Sequence, residues 1–229
     1  THTAHAGVMG GFGTGITASM TELEISDNTR IQGNADPALE PESAHGILAQ
    51  DVDVSVLRNE IIRGGHGSTV ATGISLARRT MGINTADLAD NLVQGGGASF
   101  TTGLAVETTD LYAVRNVIDA CGLPRSGAGT PPAECVAARQ SWGVQGADNP
   151  LVHLHNNYVF GGFASFATGC QVEIPAMSGM ATETVLVYNL CFAQGQPAGP
   201  GGISQAVGLR IFDFAGAPTS HVYRNNIIG

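Results

Sequence analysis

The sequence predicts an all-β solenoid: a parallel β-helix of about seven coils, three short strands per coil, with an asparagine ladder at one bend. Three observations predict it. An Asn phrase recurs as LEISDNTRIQG, VLRNEIIRGG, DLADNLVQGG, YAVRNVIDACG, HLHNNYVFGG, LVYNLCFAQG and VYRNNIIG. A Gly phrase recurs between its copies as TGITAS, HGILAQ, TGISLA, TGLAVE, ECVAAR, GCQVEI and VGLRIF. All ten Pro lie outside both phrases, where a missing N–H does no harm to a strand ladder.

Each element has a local reason. After the Gly, apolar residues alternate, as in Ile74 and Leu76, which reads as a short strand. The Gly column is Gly15, Gly46, Gly73, Gly103, Cys135, Gly169 and Gly208. A second strand leads into the Asn and a third leaves it. The Asn residues are Asn28, Asn59, Asn91, Asn116, Asn157, Asn189 and Asn226, each expected at a sharp bend where left-handed backbone angles are tolerated. Two places after the Asn stand core candidates Ile61, Val93, Ile118, Val159, Cys191 and Ile228, while the first copy carries Arg30 there and Ile31 one place later. Helices over DPALEPESAHGILAQ and PPAECVAARQ fit locally but do not explain the recurrence.

A three-strand unit of this length cannot bury its own apolar face, whereas stacked units bury it and pair each strand with its copies above and below. Residues 1–229 therefore read as a single β-helix domain, expected to belong to a longer chain or an assembly because no amphipathic cap is evident at either end. Inserts 34–45, 122–134 and 195–206 all fall at one corner, between the post-Asn strand and the next Gly strand.

The recurring G-[IL]-x-[apolar] and apolar-x-x-N-x-[IV]-x-x-G phrases resemble the right-handed parallel β-helix repeats of the pectin-lyase-like superfamily over nearly the whole chain. The resemblance implies a right-handed coil. It implies no single activity, since the superfamily holds polysaccharide lyases, glycoside hydrolases, epimerases, phage tail spikes and adhesins. The lyases' clustered calcium-binding carboxylates have no counterpart on the Gly strands. Of the polygalacturonase-like pattern (paired Asp, Gly-His-Gly, Arg-x-Lys) only Gly65-His66-Gly67 is present, in a Gly-rich corner.

Composition narrows the partners. The chain carries 10 Arg, no Lys and 19 acidic residues, a net charge of −9, which argues against a nucleic-acid backbone as partner. No apolar run is long enough to span a membrane as a helix. Four Cys suit an exported, oxidised protein, with Cys121–Cys135 and Cys170–Cys191 as the expected pairs and Cys135–Cys170 as a competitor.

Reading down the stack gives the candidate site. The residue before each Asn alternates in sign over four coils, Asp27, Arg58, Asp90 and Arg115, which fits register control better than a binding stripe. With Cys135 in the Gly slot, one outward column reads Ser19, Gln50, Ala77, Glu107, Arg139, Glu173 and Phe212. The next reads Thr17, Leu48, Ser75, Ala105, Ala137, Gln171 and Arg210. Glu107 and Glu173 would lie about 10 Å apart across Arg139, near the roughly 6.5–9.5 Å carboxylate separation of inverting glycosidases. A self-neutralising Glu–Arg–Glu ladder is the plainer reading.

Trp142, beside Arg139 and Glu107, is a sugar-stacking candidate, with Gln171 and Arg210 as further ligand-binding candidates. His153 and His155 share a strand face but lack ligands in the same slots of adjacent coils, so no metal and no cofactor is expected. A line six places before the Asn (Glu22, Asp53, Asp110, Glu183) fits turn capping.

The leading expectation is an exported or cell-surface structural and binding rod, associated with polysaccharide and without catalysis. The alternatives are a polysaccharide lyase or glycoside hydrolase acting through Glu107, Arg139 and Glu173, and a subunit that stacks head to tail with itself into a filament.

Overall fold

The computed structural model describes all residues except 1–3, 6–7, 10–11, 20–21, 37, 40, 79–82, 122–137, 175–181, 196–204 and 214–218. The described residues form strands and turns without a helix. Three parallel sheets hold one strand per coil. Gly strands run from Phe12–Ser19 to Gln205–Asp213, pre-Asn strands from Glu22–Ser26 to Thr219–Arg224, and post-Asn strands from Ile31–Asn34 to Ile227–Ile228. Two short N-terminal strands, Ala4–His5 and Val8–Met9, add to the first coil, the second of them antiparallel. The molecule is a parallel β-helix of seven coils.

Every coil sends the same columns inward. Ile47, Ile74, Leu104, Val144 and Cys170 are stacked neighbours on the Gly strands, and Val56, Leu88, Ala113, Leu154 and Leu186 on the pre-Asn strands, all within one buried cluster. The post-Asn column corrects one expectation. Ile62, fully buried, pairs with Ile31 and Val93, while Ile61 is only half-buried. The first two coils each carry one extra residue after the Asn, so the offset seen at Arg30 recurs at Ile61.

Glycine sets how closely two of the sheets approach. A Cβ on Gly46 would stand 2.9 Å from the Arg63 carbonyl oxygen, and one on Gly64 would stand 2.5 Å from that of Thr72. The Gly strands and post-Asn strands, within a coil and from one coil to the next, thus meet backbone to backbone, which only hydrogen side chains allow.

The asparagine ladder is present and directional. Asn59 donates its side-chain N–H to Asn91 Oδ1 (2.9 Å) and its backbone N–H to the same oxygen (3.0 Å), and the pattern repeats from Asn28 through Asn226. Each amide from Asn59 onward also donates to a backbone carbonyl one coil back, as Asn116 does to Leu88. The left-handed residue at the bend is not the Asn but the one before it: Asp27, Arg58, Asp90, Arg115, Asn156, Tyr188 and Asn225 all have φ between 52° and 58°. Asn116 and Asn157 are 1% and 2% exposed, so their role is to satisfy buried backbone groups.

The sign-alternating column resolves into two bidentate pairs, Arg58 with Asp27 (2.7 and 2.6 Å) and Arg115 with Asp90 (2.7 and 2.7 Å). Hydrogen bonds from the arginines hold the Asp27 and Asp90 carboxyls below their usual range. For a depressed carboxyl, the stabilisation is complete above its unfolded pKa and disappears as pH falls through the folded one. Arg115→Glu is therefore expected to lower the melting temperature at low salt and neutral pH, and the deficit is expected to shrink in about 1 M salt and on acidification. Melting curves in two salts and at two pH values check this; a salt-independent deficit would assign the loss to packing instead.

The Cys170–Cys191 disulfide crosses the interior from a Gly strand to a post-Asn strand, with Cα atoms 5.9 Å apart. Cys121 is also disulfide-bonded. Cys135 lies outside the described residues, and with it the expected Cys121–Cys135 pairing. Coil length varies at two corners rather than one, because the interval between Gly strand and pre-Asn strand also widens at 78–83, 175–181 and 214–218.

Candidate functional site

The fifth Gly strand is Gln140–Ala147, not the stretch after Cys135. Its register sets Trp142 between Thr102 and Thr168, Gln145 between Ala105 and Gln171, and Val144 in the core column. Gly143 therefore fills the Gly slot, and Gly143 to Asn157 is 14 residues, close to the 13 that separate Gly15, Gly46 and Gly103 from their Asn. That spacing was the available clue.

The correction dismantles the Glu107–Arg139–Glu173 line. Ala147, not Arg139, pairs with Glu107. Arg139 lies at the turn before the strand, where its N–H bonds to the Ser99 carbonyl and its carbonyl accepts the Phe166 N–H. Eight residues of extended chain, about 26 Å, separate that turn from Ala147. Glu107 and Glu173 remain two coils apart with a small side chain between them. Ala137 lies outside the described residues.

The same register gathers the three ligand-binding candidates. Trp142, Gln171 and Arg210, from coils five, six and seven, line one groove of about 190 Å³ on the outer face of the Gly-strand sheet, together with Glu173, Phe166 and Phe212. Trp142 Nε1–H donates to Gln171 Oε1 (3.1 Å), and Gln171 Nε2–H donates to Glu173 Oε1 (2.7 Å). Gln171 is 6% exposed and forms part of the floor, whereas Phe166, at 45%, stands clear of it. Arg210 sits 5.7 Å above the Phe212 ring, and its Nη2 donates to Gln205 Oε1 (3.4 Å). Sequence reasoning missed Phe166 and Gln140 because the misplaced fifth strand hid their column, Phe100–Gln140–Phe166–Gln205.

The remaining histidines lie elsewhere. His66 closes a post-Asn strand in coil two beside Gly97, away from the groove. His153 and His155 do share the outer face of the pre-Asn sheet, beside Tyr112 and Val114 on one side and Val185 and Val187 on the other. A carboxylate nevertheless reaches His153 diagonally: Glu183 Oε2 is 3.4 Å from its Nε2. Asp110 flanks it from the opposite coil, and burial raises that carboxyl above its usual range against the lowering effect of His153.

The acidic line is in register as read, Glu22 with Asp53, Thr85 with Asp110 and Leu151 with Glu183. Asp53 Oδ1 accepts the Thr85 N–H at 2.7 Å, a capping role. Among the described residues, no three His, Cys, Asp or Glu side chains gather as metal ligands, and no helix is long and apolar enough to cross a membrane.

No family model, curated protein or solved structure matches the chain. The reading of the groove therefore rests on its own chemistry.

Proposed function

We propose that the chain is a carbohydrate-binding rod of the pectin-lyase-like superfamily, exported to the cell surface or beyond, whose outer Gly-strand face holds the sugar. One observation carries the reading: three aromatic side chains, Trp142, Phe166 and Phe212, share a groove with the hydrogen-bonding side chains of Gln171, Glu173 and Arg210. Aromatic faces suit the C–H face of a pyranose, and a few fixed polar groups around them supply orientation. The buried disulfide fits an oxidising compartment.

Affinity measurements on a panel of soluble glycans test it. Trp142→Ala is expected to weaken binding by about tenfold or more, as loss of a central aromatic anchor costs about 2 kcal/mol. Equal retention of wild type and variant on every glycan bound would remove the groove from the proposal.

A hydrolytic reading keeps one favourable observation, the Glu107 and Glu173 carboxylates two strands apart with only Ala147 between. It requires turnover by the wild type that both Glu107→Gln and Glu173→Gln abolish. Product release from a glycan that survives both substitutions would exclude that pair.

A further inference from the structure

We infer that the groove takes a neutral glycan rather than a polyuronate, an inference that rests on the carbohydrate-binding reading above. Charge is the first ground. The groove is lined by one base, Arg210, and one acid, Glu173, in a chain of net charge −9. A polyuronate carries an anion on every residue and needs a row of cations along its track, because a surface of like sign repels it. The outward columns of the neighbouring coils supply none: they hold Ser75, Ala77, Ala105, Glu107, Gln145 and Ala147. A bridging divalent cation would serve instead, but the groove offers it a single carboxylate, Glu173. Arg210 itself is spread over Phe212 and bonded to a neutral amide.

Hydrogen-bonding chemistry is the second ground. Gln140, Thr168, Gln171 and Gln205 line the groove. Side-chain amides and hydroxyls both donate and accept, as sugar hydroxyls do, whereas a carboxylate only accepts. Gln171 is also held in one orientation, with its oxygen on Trp142 and its nitrogen on Glu173. A fixed amide loses little freedom when a ligand arrives. Trp142 stacks over Thr168 and Val207, and Phe212 lies five residues beyond Val207 on the seventh Gly strand, so the two rings lie diagonally across the sheet, about 9.6 Å apart along the rod axis and about 16 Å apart along the strands.

The chain has a single Trp, Trp142, so its fluorescence reports on this groove alone. The experiment titrates the folded chain with neutral β-linked gluco- and manno-oligosaccharides and with oligouronates of equal length. It is run at about 20 mM and about 500 mM NaCl, on wild type and on Arg210→Gln. Neutral oligosaccharides are expected to shift the Trp142 emission, with affinity changing less than about twofold between the two salts. Phe212→Ala, on the rim, is expected to weaken them in both salts. Binding of oligouronates alone, weakened about tenfold by salt and lost in Arg210→Gln, would overturn the neutral assignment and leave the carbohydrate reading standing. Failure of both classes to shift the emission or to bind calorimetrically would overturn the two together.

Discussion

Asn116→Ala is expected to destabilise the rod by about 3–5 kcal/mol, far more than its size would suggest. Asn116 Oδ1 accepts two bonds, from the Asn91 backbone N–H (3.0 Å) and the Asn91 side chain (2.9 Å), and its Nδ2 donates to the Leu88 carbonyl and to Asn157 Oδ1. Asn91 is 3% exposed. Truncation strands two buried donors that water does not reach, each costing about 1–3 kcal/mol. Because the ladder is directional, position matters. Among the described residues, Asn28 donates to Asn59 and receives nothing from another ladder Asn, so Asn28→Ala strands no described donor and is expected to cost about 1 kcal/mol. Urea unfolding of both variants, with hydrogen exchange at the Asn91 amide, checks the contrast. Equal losses at the two positions would refute the ladder as a chain of buried, directional bonds.

The ladder was legible in the sequence because each rung needs the same side chain at the same bend, and stacking turns that demand into a repeat. The core columns were legible for the same reason. Two details were not. The left-handed position accepts Asp, Arg, Asn and Tyr alike, because the ladder amide overdetermines the bend and the strained residue needs no special side chain. The extra residue after Asn59 was masked by the pair Ile61–Ile62, which offers an apolar side chain in either register. Only the partner strands select Ile62.

The groove was harder to read. An insert sits between Asn116 and Asn157, and ECVAAR within it imitates a Gly strand, with Cys in the Gly slot and alternation after it. Local pattern favoured that stretch; the constraint that decides is the close approach at Gly143, where a Cβ would fall 2.4 Å from Val159 Cγ1 and 3.0 Å from the Phe160 carbonyl oxygen. Cys135 could not occupy such a place. That displacement of eight residues in one coil put Arg139 into the site and hid Phe166 and Gln140. It left Trp142, Gln171 and Arg210 together, because Trp142 was singled out by its chemistry and the other two lie in correctly registered coils.

Replacing both Cys170 and Cys191 by Val is expected to cost about 3 kcal/mol, from the freedom restored to a chain closed over a separation of 21 residues. Valine is the informative substitute. Cys170 stacks between Val144 and Leu209, and Cys191 between Val159 and Ile228, so aliphatic side chains already occupy both columns and the double variant keeps the core filled. The cost then reports the covalent link rather than a cavity. Both sulfurs belong to residues at most 1% exposed, so a mild thiol reductant is expected to leave the native rod's stability unchanged below its unfolding transition and, once unfolded chains are reached, to lower it to the value of the double variant melted in the same reductant, in which the Cys121 bond is broken as well. Thermal melts with and without reductant, for wild type and the double variant, separate these terms. A double variant as stable as wild type would mean that the stacked coils alone hold the sixth turn closed, and that the disulfide adds nothing to what the apolar columns already fix.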